Sequence, residues 1–158
     1  MGRLTGWLVA AMGVLLLVLV GAGCARGGTD DSDQPSEAAL DAPPTTVSAA
    51  GLDGTNYVST SLSGHELVEG TEVTLSFQDG LMSATAGCNT LFGPYEIEQD
   101  TLRWTGTPAT TLMECPEAEA AQDRWVTGLL SEGVTATLQG NMLTLAAGEV
   151  TLQLSAAE

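Results

Sequence analysis

The chain has 158 residues, with 20 acidic and 4 basic side chains and a net charge of −16 at neutral pH. That balance excludes a nucleic-acid partner, which needs basic contacts to phosphate, and it disfavours a domain lying flat on anionic lipid. It suits a soluble outward-facing domain, and it leaves open whether the charge serves solubility alone or also binds cations or a basic partner.

Residues 1–23 have the three parts of an export signal. Arg3 supplies the positive start, residues 8–20 form an almost unbroken apolar run, and Gly21-Ala22-Gly23 supply small side chains before a cut. Cys24 follows at once, and Leu19-Val20-Gly21-Ala22-Gly23-Cys24 resembles the lipobox of bacterial lipoproteins. That resemblance implies a diacylated Cys24 and cleavage before it. An uncleaved transmembrane anchor is the other reading, but the apolar run is short of the ~20 residues a spanning helix needs. Two acyl chains suffice for stable anchoring. The expected location is therefore the extracytoplasmic side of the cell membrane.

Residues 24–50 read as the lipidated cysteine and an acidic tether. Asp30, Asp31, Asp33, Glu37 and Asp41 occur together with Pro35, Pro43 and Pro44, and aromatic residues are absent. Such a segment cannot bury enough apolar surface to offset its ordering entropy. Asp31-Ser32-Asp33 hints at a calcium loop, but the glycine and glutamate that would complete one are missing at the required spacing.

Residues 51–158 have room for one small domain. Residues 57–62 are a modest strand candidate, followed by a loop through Gly64, His65 and Gly70. Residues 71–78 give the clearest strand, with Val73, Leu75 and Phe77 on one face. Asp79-Gly80 is a hairpin turn, and residues 81–86 return into Cys88. Residues 95–98 and 101–104 form a second hairpin around Gln99-Asp100, and residues 108–115 are irregular. Pro116 suits the start of a helix, with Glu117 and Glu119 near its positive end. Ala118, Ala121, Trp125 and Leu129 mark a stripe to pack on a sheet, and Gly133 stops the helix. Three short strands close the chain, turning at Gly140-Asn141 and Ala147-Gly148. Short strands with frequent turns predict a mainly β fold: a small antiparallel barrel-like sheet of about eight strands with one α-helix.

Three cysteines are present, and Cys24 has its own role. Cys88 and Cys115 remain as an even pair in an exported chain, which predicts a structural disulfide. Closing that loop stabilises by roughly 3 kcal/mol in the chain-entropy model. Catalytic and metal readings are weak. His65 is the single histidine, and His65-Glu66-Leu67-Val68-Glu69 lacks the second histidine of a zinc-protease helix. Cys88 as a nucleophile would have only His65 as an imidazole base. The expectation is a non-enzyme without cofactor or metal. Asn89 is expected to hold a tight turn by bonding nearby backbone, with ligand contact from a loop as the second reading. Phe92, Tyr95, Trp104 and Trp125 are expected to be core or hinge packing, or to line a small cavity.

Gly87-Cys88-Asn89, followed by Phe92, Gly93 and Tyr95, then Thr111-x-Met113-x-Cys115 and the late strand Leu143-x-Leu145, resemble the META domain, the HslJ-like family of bacterial envelope proteins. The resemblance spans roughly residues 54–154, with Tyr57 where the family usually has tryptophan. It implies a barrel-like antiparallel fold with one helix, no established enzymatic activity and a loose link to stress. The leading functional expectation is a lipid-tethered interaction module with an unknown envelope protein as partner. The alternative is a barrel that binds a small apolar ligand.

If Cys24 carries the lipid, the intact mass of membrane-extracted protein should fit a chain starting at residue 24 plus a diacylglyceryl group. Cys24→Ser should leave the membrane fraction, and a variant still anchored as before would disprove the assignment.

Overall fold

In the computed structural model residues 45–157 are described. The export signal, Cys24 and residues 25–44 of the tether lie outside them. The strands are β1 Thr45–Thr46, β2 Asn56–Ser63, β3 Thr74–Gln78, β4 Leu81–Thr85, β5 Thr90–Glu98, β6 Thr101–Trp104, β7 Ala109–Thr110, β8 Val134–Gln139, β9 Met142–Ala147 and β10 Val150–Ala156. The helices are α1 Ala49–Leu52 and α2 Glu117–Glu132.

The wall forms because each strand alternates apolar and polar residues, and two-residue turns set the register. Asp79-Gly80 and Gln99-Asp100 all have positive φ, as do Gly140 and Gly148 at the start of the later turns. Around the wall the order is β8-β6-β5-β4-β3-β2-β10-β9, and β9 pairs back to β8, closing an antiparallel eight-stranded barrel. β1 extends one edge of β8, and β7 extends one edge of β5.

Inward residues meet in rows across the strands. Tyr57 lies opposite Leu75, Leu75 opposite Ala84 and Ala84 opposite Leu91. Leu145 lies between Ala136 and Leu152. Phe77 makes edge-to-face contacts with Tyr57 at 6.0 Å and Tyr95 at 5.2 Å, and Trp104 donates to the Met82 carbonyl at 3.3 Å. These buried side chains occupy the interior, and burial raises the phenol pKa of both Tyr57 and Tyr95. The barrel is a packed core in the manner of small barrels whose side chains fill them.

The alternation also sorts the aromatic residues. On β5, Leu91, Gly93 and Tyr95 point inward, so Phe92 points outward and is 46% exposed. The expectation that Phe92 is core is therefore corrected by strand parity. β5 also begins earlier than its pattern suggests, because Gly93 and Pro94 mask a strand that pairs fully with β4.

The fold reaches back before residue 51. Thr45 and Thr46 pair with β8, Val47 is buried, and the Ser48 side chain caps α1. Leu52 is buried, Asp53 Oδ1 accepts the Asp79 N–H at 2.8 Å, and Tyr95 donates to the Ala49 carbonyl at 3.4 Å. Residues 45–53 thus close the barrel end that holds the Asp79-Gly80 and Gln99-Asp100 turns. Antiparallel alternation puts the longer connections, 64–73, 86–89 and 105–116, at the opposite end.

α2 packs beside β6 at that opposite end. Glu117 and Glu119 lie in its first turn, and Gly133 ends it with φ 101°. The expected apolar stripe is one position out. Ala118 and Ala121 are exposed and Trp125 and Leu129 only half-buried, whereas Gln122, Asp123, Val126 and Leu130 face inward. The helix turns this way because Gln122 and Asp123 bond backbone groups of Val68 and of residues 86–89.

Gly87 lets the helix come close: a Cβ there would lie 2.6 Å from the Glu119 carbonyl oxygen. Gly128 on the same helix has nothing within 4 Å of its added Cβ. Gly87→Ala should therefore destabilise by about 1–3 kcal/mol, the usual cost of overpacking. Gly128→Ala should stabilise by up to about 1 kcal/mol through helix propensity. Urea denaturation of both variants checks the pair of signs.

Candidate functional site

Residues 86–89 lie between β4 and β5, outside the ladder. Their donors converge on one helix carboxylate. Asp123 Oδ1 accepts the backbone N–H of Gly87 at 3.0 Å and of Cys88 at 3.2 Å. Oδ2 accepts the Asn89 backbone N–H at 2.9 Å and its side-chain amide at 3.2 Å. Successive N–H groups aimed at one point form a nest that favours an anion. Here the anion is Asp123, 6% exposed, so a buried charge is matched by four donors.

Gln122 works beside it. Its Oε1 accepts the Val68 N–H at 2.6 Å, and its Nε2 donates to Thr71 Oγ1 at 2.8 Å and to the Ala86 carbonyl. Trp125 stacks on His65 with ring centroids 3.8 Å apart. About one turn of α2, from Gln122 to Trp125, thereby holds the 64–73 loop and the β4–β5 connection.

Asn89 extends the network in the other direction. Its Oδ1 accepts from Thr111 Oγ1 at 3.0 Å and from the Met113 N–H at 2.9 Å, and its Nδ2 lies 3.0 Å from Cys115 Sγ. Thr111 Oγ1 accepts the Thr90 N–H, and the Thr111 N–H returns to the Thr90 carbonyl, both at 3.0 Å. Cys88 and Cys115 are joined, with Cα atoms 6.0 Å apart. Gly87, Cys88, Asn89, Thr111, Met113 and Cys115, scattered in sequence, therefore meet in one place. Asn89 does not hold a tight turn of its own, as expected from its position after a cysteine. It splints a loop more than twenty residues away. Asp123 and Gln122 were absent from the sequence-based set. The available signal was the spacing of Val126 and Leu130, which puts Gln122 and Asp123 on the inward face.

The held loop presents apolar side chains to solvent: Leu112 is 94% exposed and Met113 63%. Between it and α2 runs an open groove of about 560 Å³, with Leu91, Pro108, Met113 and Ala120 among its lining. Asn89 and Asp123 also border it, with their polar atoms already bonded within the fold. Among the described residues, no group of three or more His, Cys, Asp and Glu is placed to hold a metal ion.

Asp123→Ala should lower unfolding free energy by at least about 3 kcal/mol, because several buried donors lose their partner. Asp123→Asn should also destabilise, since its amide N–H turns against donors. Replacing Cys88 and Cys115 together by alanine should cost about 2–5 kcal/mol. Combined with Asp123→Asn, the loss should be non-additive, because both changes act through Asn89. Denaturant titrations of single and combined variants give these values, and an Asp123→Ala protein as stable as the parent would contradict the nest.

Comparison with known proteins agrees with this architecture. A protein solved by NMR is 26% identical with a TM-score of 0.57, the alignment covering 69% of this chain and 94% of that one. A second NMR structure, of a protein from Burkholderia xenovorans, is 19% identical with a TM-score of 0.59, covering 78% and 95%. At that identity the likeness shows the fold alone. No functionally curated protein matches. The model of the META domain matches residues 50–158, which takes in the closed barrel, α2 and the whole motif network, and the chain belongs to the META domain family.

Proposed function

We propose that this chain is a lipid-anchored, non-catalytic META protein of the cell envelope whose domain offers a rigid docking surface to another envelope protein. One observation carries the reading. The polar groups of the motif are bonded inside the fold, while Leu112 and Met113 beside them stand in solvent on a loop fixed by Asn89, Thr111 and the disulfide. Ordering a loop that carries exposed apolar side chains lowers the entropy cost of docking. Catalytic roles for Cys88 and His65 are disfavoured, because Cys88 is bonded to Cys115 and His65 is stacked on Trp125. The resemblance to HslJ-like proteins adds envelope stress as the condition in which to look for the partner. The alternative, an apolar ligand inside the barrel, is not favoured by an interior filled with Tyr57, Phe77, Met82 and Trp104.

A photo-crosslinking amino acid at position 112, in cells expressing the full chain, should capture a discrete envelope protein. The same group at exposed position 149 should not capture it. Equal products from both positions, or none from 112, would remove the reading.

A further inference from the structure

The groove between the held loop and α2 has a shape and a charge that select its occupant. Resting on the docking role above, we propose that it takes an extended, basic segment of a partner protein, which adds beside β7 and places apolar side chains against Leu112 and Met113.

The strand argument comes from the sheet. β5 is nine residues long, and its neighbouring edge is shared by β6 on the later half and β7 on the earlier half. Beyond β6 the wall continues into β8, but β7 pairs with β5 alone among the described residues. β7, whose second edge has no strand among the described residues, borders the groove through Thr110, and α2 supplies Ala120 and Thr127 to the same groove. An extended chain gains main-chain hydrogen bonds from such an edge and specificity from alternate side chains. β7 is only two residues long, which blunts it against indiscriminate pairing, so side-chain contacts must supply most of the affinity.

The charge argument decides the partner. The chain carries −16. Among the described residues the two arginines are already matched: Arg103 lies 2.7 Å from Glu96 and 3.3 Å from Glu98, and Arg124 lies 2.9 Å from Glu117. At the groove itself Glu114 adds negative charge, while Arg124, which also lines it, is paired with Glu117, and Asp123 is occupied by its four donors. A second copy of this chain, or an anionic bilayer, would meet like charge. A segment with lysine or arginine flanking apolar residues would be drawn in.

The test uses the full-length protein, 15N-labelled in zwitterionic micelles. One probe is a short synthetic peptide alternating leucine and lysine; the control has glutamate in place of lysine. The lysine peptide should shift amide signals of residues 108–113 and 120–127, and its affinity should fall as salt rises. Leu112→Asp with Met113→Asp should weaken it at least about tenfold, as loss of central apolar anchors does. Both positions are exposed, and an unchanged melting temperature confirms that the fold is kept. Methylating the peptide backbone nitrogens on one edge should weaken binding too. Equal binding of the glutamate peptide, shifts confined to other surfaces, no binding, or equal shifts from anionic vesicles alone would each overturn the proposal. A retained crosslink at position 112 would then show that docking stands and only the partner chemistry is wrong.

Discussion

Everything at the motif end of the barrel depends on one buried carboxylate. The chain leaves β4 and enters β5 through residues that cannot join the ladder, and buried donors without partners are costly. Asp123 takes those donors in a single group, and a charge held by four hydrogen bonds tolerates burial that would otherwise raise its energy. Because the acceptor is on α2 and the donors are on the β4–β5 connection, the same bonds set the rotation of the helix. Because one donor is the Asn89 amide, they also align the side chain that organises residues 111–115.

This explains why one part of the fold was readable in the sequence and another was not. Leu75 and Phe77 alternate with polar neighbours, and Asp79-Gly80 names its own turn. Such local signals describe the barrel strand by strand, and the even pair of cysteines left within the domain predicts the observed Cys88–Cys115 bridge. The helix face was a closer choice. Trp125 with Leu129 and Val126 with Leu130 make equally apolar spacings, and apolar character alone prefers the stripe with tryptophan. What tips the helix is a polar requirement on a distant strand end, and the apolar periodicity of residues 117–132 offers both faces without choosing between them. Phe92 fails for a different reason: its identity suggests core, but its place between Leu91 and Gly93 assigns it outward. The reach of the fold back to Thr45 was hidden by composition, since the threonine pair and Val47 look like the end of a proline-rich acidic run.

The bridge and the Asn89 splint act on the same loop by different physics. The disulfide limits the unfolded chain, whereas the hydrogen bonds act only in the native state and fix where residues 111–113 sit. A loop held both ways keeps its shape without burying its own apolar side chains. That separation of stability from burial lets Leu112 remain exposed in a domain whose remaining large apolar residues mostly turn inward.

The two ends of the barrel face opposite directions, with β1 and α1 at one and the 107–114 loop at the other. A barrel strand spans roughly 20 Å, which is about two Debye lengths at moderate salt, each being about 8–10 Å. Charges at one end are therefore largely screened from the other through solvent. The electrostatics of the 107–114 loop are set by its own neighbours, Glu114 and the Arg124–Glu117 pair among them, and hardly by what surrounds β1.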